Sequence, residues 1–194
     1  MSKTGVYERI IHSASKVFAE KGYHGSNLRE IAQDAGINKA MLFYYFKNKE
    51  NLYFSILSLA FQEILERSKK IYVNQKSSFE KINEMIASFT QIYIKNKDFF
   101  LIAMNEFESV KIMPLMKNSN YIYQINNIFV AIIQEGIKNR EFRELDPRMT
   151  AVSIIGMIKL LITQENITGT SYNNEDICSF INEIIFRGIL FENK

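Results

Sequence analysis

Between Asn27 and Phe46 the chain carries two helical segments of only two turns each, 28–35 and 39–45, broken at Gly36. Helices that short do not stand alone, because nucleating the first turn is costly and isolated helices need about 12–15 residues to be even marginal. The pair must pack on a neighbour. Asn27 lies three residues before Glu30, an N-cap with an acidic residue at the third helical position, and Asn38 caps the second segment. Gly36 can take the positive φ that the turn between them requires. Ile31, Ile37, Leu42 and Phe46 supply apolar faces, and Ala32 is small where the segments would cross. Together these features form a helix-turn-helix pattern.

The neighbour is the preceding helix. Ile10, Ile11, Ala14, Val17 and Phe18 recur at the spacing of one buried helical face, and Gly22 stops it. Beyond Phe46 the pattern changes to long helices. Asn48 caps a helix reaching about Lys70, and Ser77 or Ser78 caps one reaching about Lys95. Asp98 opens a shorter one before a break at Pro114. Residues 120–139 form another, with Ile122, Ile125, Phe129, Ile132 and Ile133 inward. Asp146-Pro147 is a cap followed by proline at the first helical position, starting a helix to about Gln164. A last helix runs over 175–191. The reading is all-α, with about nine helices and no strand. An N-terminal three-helix unit (1–47) precedes a larger helical domain (48–194).

Of the 194 residues only 8 are Gly and 2 are Pro, which fits long helices rather than tight-turned β structure. The lone Cys178 excludes an internal disulfide framework, and with two histidines, His12 and His24, no metal or cofactor site is expected. There is no Ser-His-Asp order, no glycine-rich phosphate loop and no pair of metal ligands, so no enzyme is expected. The apolar run 149–158 ends at Lys159, short of the ~20 residues of a membrane span. Residues 6–18 are amphipathic rather than uniformly apolar, so no signal peptide and a cytoplasmic location are expected. Residues 1–50 hold eight Lys/Arg against five Asp/Glu, whereas 51–194 hold sixteen of each. The excess of positive charge therefore lies entirely in the first quarter, pointing to a polyanion partner there.

Leu42 and Phe46 face inward from the second short helix, which leaves Lys39, Ala40, Phe43 and Tyr44 outward and Tyr45 at the edge. Tyr and Lys donate to phosphate oxygens, and a small Ala permits close approach to a groove. The residues Phe18-Ala19-Glu20-Lys21-Gly22-Tyr23, Leu28-Arg29-Glu30-Ile31-Ala32, Ala35-Gly36-Ile37 and Leu42-Phe43-Tyr44-Tyr45-Phe46-Lys47-Asn48-Lys49-Glu50-Asn51-Leu52 follow one another in a characteristic order. Over 6–57 the chain resembles the N-terminal domain of the TetR family of transcriptional regulators. The resemblance implies that Ser26 and Asn27 touch phosphates and that Arg29 can reach a base. It further implies that Asn38, Lys39, Ala40, Met41, Phe43, Tyr44 and Tyr45 form the recognition surface, and that Lys47 and Lys49 contact phosphates. Phe43 stands where Tyr is common; it either packs or meets a thymine methyl.

A weaker resemblance covers residues 140–147. In the family the last two helices form a four-helix bundle with a second subunit. That implies a homodimer through Val152, Ile155, Gly156, Lys159, Ile177, Ile181, Ile184, Ile185 and Gly188. The middle helices are implied to enclose an effector, with Phe89, Tyr93, Phe100, Met104, Phe107, Met116 and Tyr121 as pocket candidates, alongside Phe99, Met113 and Tyr123 in the same aromatic and Met-rich set. The function implied is a repressor, released from a pseudo-palindromic duplex DNA operator by a small hydrophobic effector. An activator of the same fold and a non-specific DNA- or protein-binding helical module are the alternatives.

Overall fold

The computed structural model describes residues 3–96, 120–164, 168–170 and 172–189. Among them are eight helices and no β-strand: α1 (Lys3–Gly25), α2 (Leu28–Asp34), α3 (Lys39–Tyr45), α4 (Lys49–Tyr72), α5 (Ser78–Lys95), α6 (Tyr121–Lys138), α7 (Pro147–Thr163) and α8 (Asn174–Ile189). The short helix expected after Asp98 and the break at Pro114 lie outside the described residues. No helix among the described residues is long and apolar enough to cross a membrane, and no group of His, Cys, Asp or Glu there is arranged to hold a metal.

The chain divides into two compact units. In the described residues the first is 3–60, and the second is 61–96 together with 120–189. The first therefore runs past Lys47 into α4. The reason is packing: Leu52, Tyr53, Ile56 and Leu57 of α4 are buried with Ile10, Ala14, Val17 and Phe18 of α1. Tyr53 meets the rings of Phe18 and Tyr23 edge-on, with centroids 5.1 and 5.3 Å away. Gly22, at φ 70°, kinks α1 so that Tyr23 turns into this cluster.

The short helices are built from local signals. The Asn27 Oδ1 accepts the Glu30 amide at 2.9 Å, and the Asn38 Oδ1 accepts the Met41 amide at 2.8 Å. Gly36 has φ 64°; its amide donates to Gln33 O and the Ile37 amide to Ala32 O, the two bonds of a Schellman C-cap. Exposed ion pairs, Lys16–Asp34 at 3.1 Å and Lys21–Glu30, tie α1 to α2. Pairs this exposed stabilise little.

In the second unit α5 packs against α6, α7 and α8, and α7 packs against α6 and α8. Ser77 starts α5 with a complete capping box with Glu80. Ile82, Met85, Ile86, Phe89, Ile92 and Tyr93 then fill one face of the helix. Phe89 stacks on Tyr93 and meets Phe129 of α6 edge-on at 5.5 Å. Ile122, expected inward on α6, is 46% exposed instead. It lies in the first turn of the helix, ahead of the inward face set by Ile125, Phe129 and Ile132. The α6–α7 turn is a second Schellman cap, with Arg140 at φ 58° donating to Ile137 O and Glu141 to Gly136 O. The Phe142 ring is buried over Gly136, where a Cβ would overlap it.

The two glycines make a contrast that unfolding can read. Gly36→Ala meets open space and costs only the strain of the left-handed backbone, about 1 kcal/mol. Gly136→Ala must displace the buried Phe142 ring, an overpacking cost of about 1–3 kcal/mol. Urea unfolding followed by circular dichroism should lower the midpoint in both, more in Gly136→Ala. An unchanged midpoint in Gly136→Ala would contradict the packing described here.

Candidate nucleic-acid interface

The interface candidate is the outer surface of α3 and the segments flanking it. Of the seven residues of α3, Leu42 alone is buried. Ala40 and Lys39 are exposed, Met41 and Phe43 are each 42% exposed, and Tyr44 is 71% exposed. The Lys39 ammonium lies 5.5 Å from the Phe43 ring centroid, and Tyr44 meets Tyr45 edge-on. Tyr45 is half-buried, its ring 6.3 Å from that of Tyr7 on α1. Asn27 and Arg29 before α3, Asn38 at its start and Lys47 after it are all exposed. Arg29, Lys39 and Lys47 form no ion pair among the described residues, unlike Lys16 and Lys21. Three cations without an ion pair among the described residues thus lie on and beside α2 and α3. The side-chain oxygens of Asn27 and Asn38 are engaged in capping, which leaves only their amide nitrogens to donate outward.

Two of the expected contact residues have partners inside the unit. Ser26 is 4% exposed, and its hydroxyl donates to Tyr23 O at 2.8 Å, so that hydroxyl faces into the unit. Lys49 is half-buried; its ammonium donates to Ser26 O at 2.6 Å and lies 4.5 Å from the Tyr23 ring centroid. It clasps the start of α4 to the α1–α2 loop. Sequence spacing could not reveal this, because the partner carbonyl lies 23 residues upstream.

The expected dimer residues also divide. Ile177, Ile181 and Ile185 of α8 are buried inside the second unit itself and leave no surface for a second copy. They are the inward half of the isoleucine stripe. Val152 and Ile184 are 59% and 48% exposed, and Ile155, Gly156, Lys159 and Gly188 are half-buried. Leu160 on α7 and Phe180 on α8, both outside the expected set, are 59% and 49% exposed. Their exposure follows the same helical faces as Val152 and Ile184, a periodicity that could have included them.

Of the pocket candidates, Phe89 and Tyr93 are buried on α5 and Tyr121 is half-buried. Phe99, Phe100, Met104, Phe107, Met113 and Met116 lie outside the described residues. Tyr123 is 64% exposed and does not line an interior. Burial pushes the Tyr93 phenol up to about 12. A phenol is neutral below its pKa, so raising the folded value above the unfolded value of about 10 makes ionisation, and not protonation, the destabilising event. No penalty is present below about pH 10, and stability falls as pH rises from there through 12. Burial also raises the Cys178 thiol, which keeps it protonated and a poor nucleophile.

Lys47 and Lys49 flank the start of α4 but are held differently. Lys49→Met removes a charge-assisted hydrogen bond and a cation–π contact, and should cost about 1 kcal/mol of stability. Lys47→Met should be neutral. Equal thermal midpoints for the two variants would show that Lys49 holds no clasp.

Comparison with known proteins converges on one family. The family model for bacterial regulatory proteins of the tetR family matches residues 10–56, and that for the tetracyclin repressor-like C-terminal domain matches residues 75–189. The fatty acid metabolism regulator protein of Bacillus subtilis is 26% identical over 184 residues, covering 94% of this chain and 95% of that protein. A crystal structure of the transcriptional regulator FadR from Bacillus subtilis in complex with stearoyl-CoA superposes with a TM-score of 0.81 at 26% identity, covering 94% of this chain and 98% of that one. The negative transcriptional regulator IcaR of the Staphylococcus aureus biofilm operon is 33% identical over 78 residues, 40% of each chain. With its two units matching the family's two models in order, this chain belongs to the TetR family and is a DNA-binding transcriptional regulator.

Proposed function

We propose that this protein is a repressor that binds a pseudo-palindromic operator as a homodimer and lets go when a long-chain acyl thioester occupies its second unit. The observation that carries the DNA half is the outer face of α3, whose large side chains are exposed beside Arg29, Lys39 and Lys47. Burying Leu42 and Phe46 uses the inner face, and no packing accounts for the outer one. Lys47, Lys39 and the Tyr44 hydroxyl reach phosphates, while Arg29 and the apolar side chains reach base edges. In a dimer the two α3 helices enter successive major grooves about 34–36 Å apart or slightly more.

The dimer reading is supported by the apolar side chains left on α7 and α8. Val152 and Leu160 are two turns apart on α7, and Phe180 and Ile184 are one turn apart on α8. Beside them Gly156 has no heavy atom near its missing Cβ, so a second helix can approach closely there. The effector class is supported by the similarity, over 94% of this chain in each case, to the Bacillus subtilis fatty acid metabolism regulator protein and to the Bacillus subtilis FadR structure, which holds stearoyl-CoA. The buried aromatic pair Phe89 and Tyr93 suits an acyl chain better than a polar ligand. Release needs the effector to favour a conformation with the wrong spacing of the two α3 helices, and it shifts binding only by its differential affinity for the two states.

Selection from a random duplex library at about 150 mM salt should return a two-fold symmetric site. Stearoyl-CoA should then displace the protein from that site, and free CoA should not. An asymmetric site would contradict the dimeric reading, and indifference to the acyl thioester would contradict the effector class. On that site, Lys39→Ala and Lys47→Ala should each flatten the dependence of log affinity on log salt, by about 0.9 for every phosphate left without its lysine. Lys49→Ala should leave the slope unchanged. Val152→Glu combined with Ile184→Glu should yield monomers in sedimentation.

A further inference from the structure

The seven residues of α3, Lys39-Ala40-Met41-Leu42-Phe43-Tyr44-Tyr45, contain no Arg, Asn, Gln, Asp or Glu. Apart from Lys, the side-chain pairings that single out a base by hydrogen bonds draw mainly on those residue types: Arg or Lys reads guanine, Asn or Gln reads adenine, and Asp or Glu reads cytosine. Lys39 is the one such residue on this helix, and its ammonium and the Tyr44 hydroxyl are the hydrogen-bonding groups of its exposed side chains. The Asn38 oxygen, which adenine readout would need, is held by the Met41 amide. What the surface does offer is apolar area. Ala40 lies at its centre, with Phe43 on one flank and Met41 on the other, and both flanking side chains are 42% exposed. The one base feature in the major groove that rewards apolar contact is the C5-methyl of thymine.

We infer that α3 reads its half-site chiefly through thymine methyls, with Ala40, Met41 and Phe43 as the specificity-determining residues. The inference rests on the proposal that this helix enters the major groove of an operator, and it names what is read there. Lys39 fits the same picture. Its ammonium lies against the Phe43 ring at 5.5 Å, which places a phosphate-seeking charge beside the apolar contact. That charge, with Arg29 and exposed Lys47 nearby, favours duplex DNA over an apolar protein partner for this face. Arg29, on α2, supplies the guanidinium that α3 lacks.

The test exchanges thymine for uracil, which removes the methyl and keeps the base pair. Each thymine of the selected operator is replaced in turn, symmetrically in both half-sites, and full-length protein is titrated by fluorescence anisotropy. Removing one contacted methyl should weaken binding about fourfold, or about 15-fold when it is removed from both half-sites. Phe43→Ala or Met41→Ala should abolish the thymine–uracil difference at the position its side chain covers. Both residues are exposed, so the variants should melt with the wild type, and this is checked first. If the operator is bound specifically but no uracil exchange weakens binding by more than twofold, the methyl reading is overturned and the regulator reading stands. If no symmetric operator can be selected at all, both fall.

Discussion

A two-turn helix cannot hold its own shape in water, and α3 is such a helix. Its position is set by what it rests on. Leu42 and Phe46 anchor it to the core of the first unit. That core is closed by Tyr53, which meets Phe18 and Tyr23 edge-on. Each such aromatic pair contributes about 0.5–1.5 kcal/mol beyond its area burial. Because Tyr53 belongs to α4, the start of that helix is as much a part of the DNA-reading unit as α2 and α3. The Lys49 clasp reinforces the same junction from its rim. The surface of α3 is free to be apolar, aromatic and poorly suited to water because its stability comes from this platform.

The distribution of cations follows from that arrangement. Lys16 and Lys21 hold α1 to α2 through Asp34 and Glu30, and the Asp34 carboxyl is held below its ordinary range by the Lys16 ammonium. Lys49 is drawn onto a carbonyl and a ring. Arg29, Lys39 and Lys47 are left to charge the face around α3. Basic residues close together in sequence thus serve two purposes, bracing the unit and charging one surface. Counting charge alone does not separate them.

What could be read from the sequence was largely what is decided within three or four residues. The caps at Asn27, Asn38, Asn48 and Asp146, the positive φ at Gly36 and the proline start of α7 are local exchanges of hydrogen bonds, and each stands where its residue types place it. The outward face of α3 was legible for the same reason, since the buried positions of a short helix fix the exposed ones. What escaped was decided at a distance. Lys49 looks the same as Lys47 until its partner at Ser26 is known. Nothing in the sequence shows that the Ser26 hydroxyl turns to Tyr23 O. Ile181 and Ile184 look alike in an isoleucine-rich helix, yet one is buried and the other 48% exposed. Periodicity locates the helix but not which neighbour covers which side. The packing of the start of α4 with α1 is not visible in the sequence, because a long helix shared by two units carries no breaker between them.

The proposed DNA-reading face of the first unit is the outer surface of α3 with its flanking cations, carried on an internal platform that makes no contact with DNA. Amide and side-chain NMR of the full chain, titrated with the symmetric duplex recovered by selection, tests it directly. The perturbations should cluster at Asn27, Arg29, residues 38–45 and Lys47, while the Ser26 hydroxyl and the Lys49 ammonium keep their intramolecular signatures. Perturbations centred on Lys49 and Ser26, with Ala40, Phe43 and Tyr44 unmoved, would contradict it.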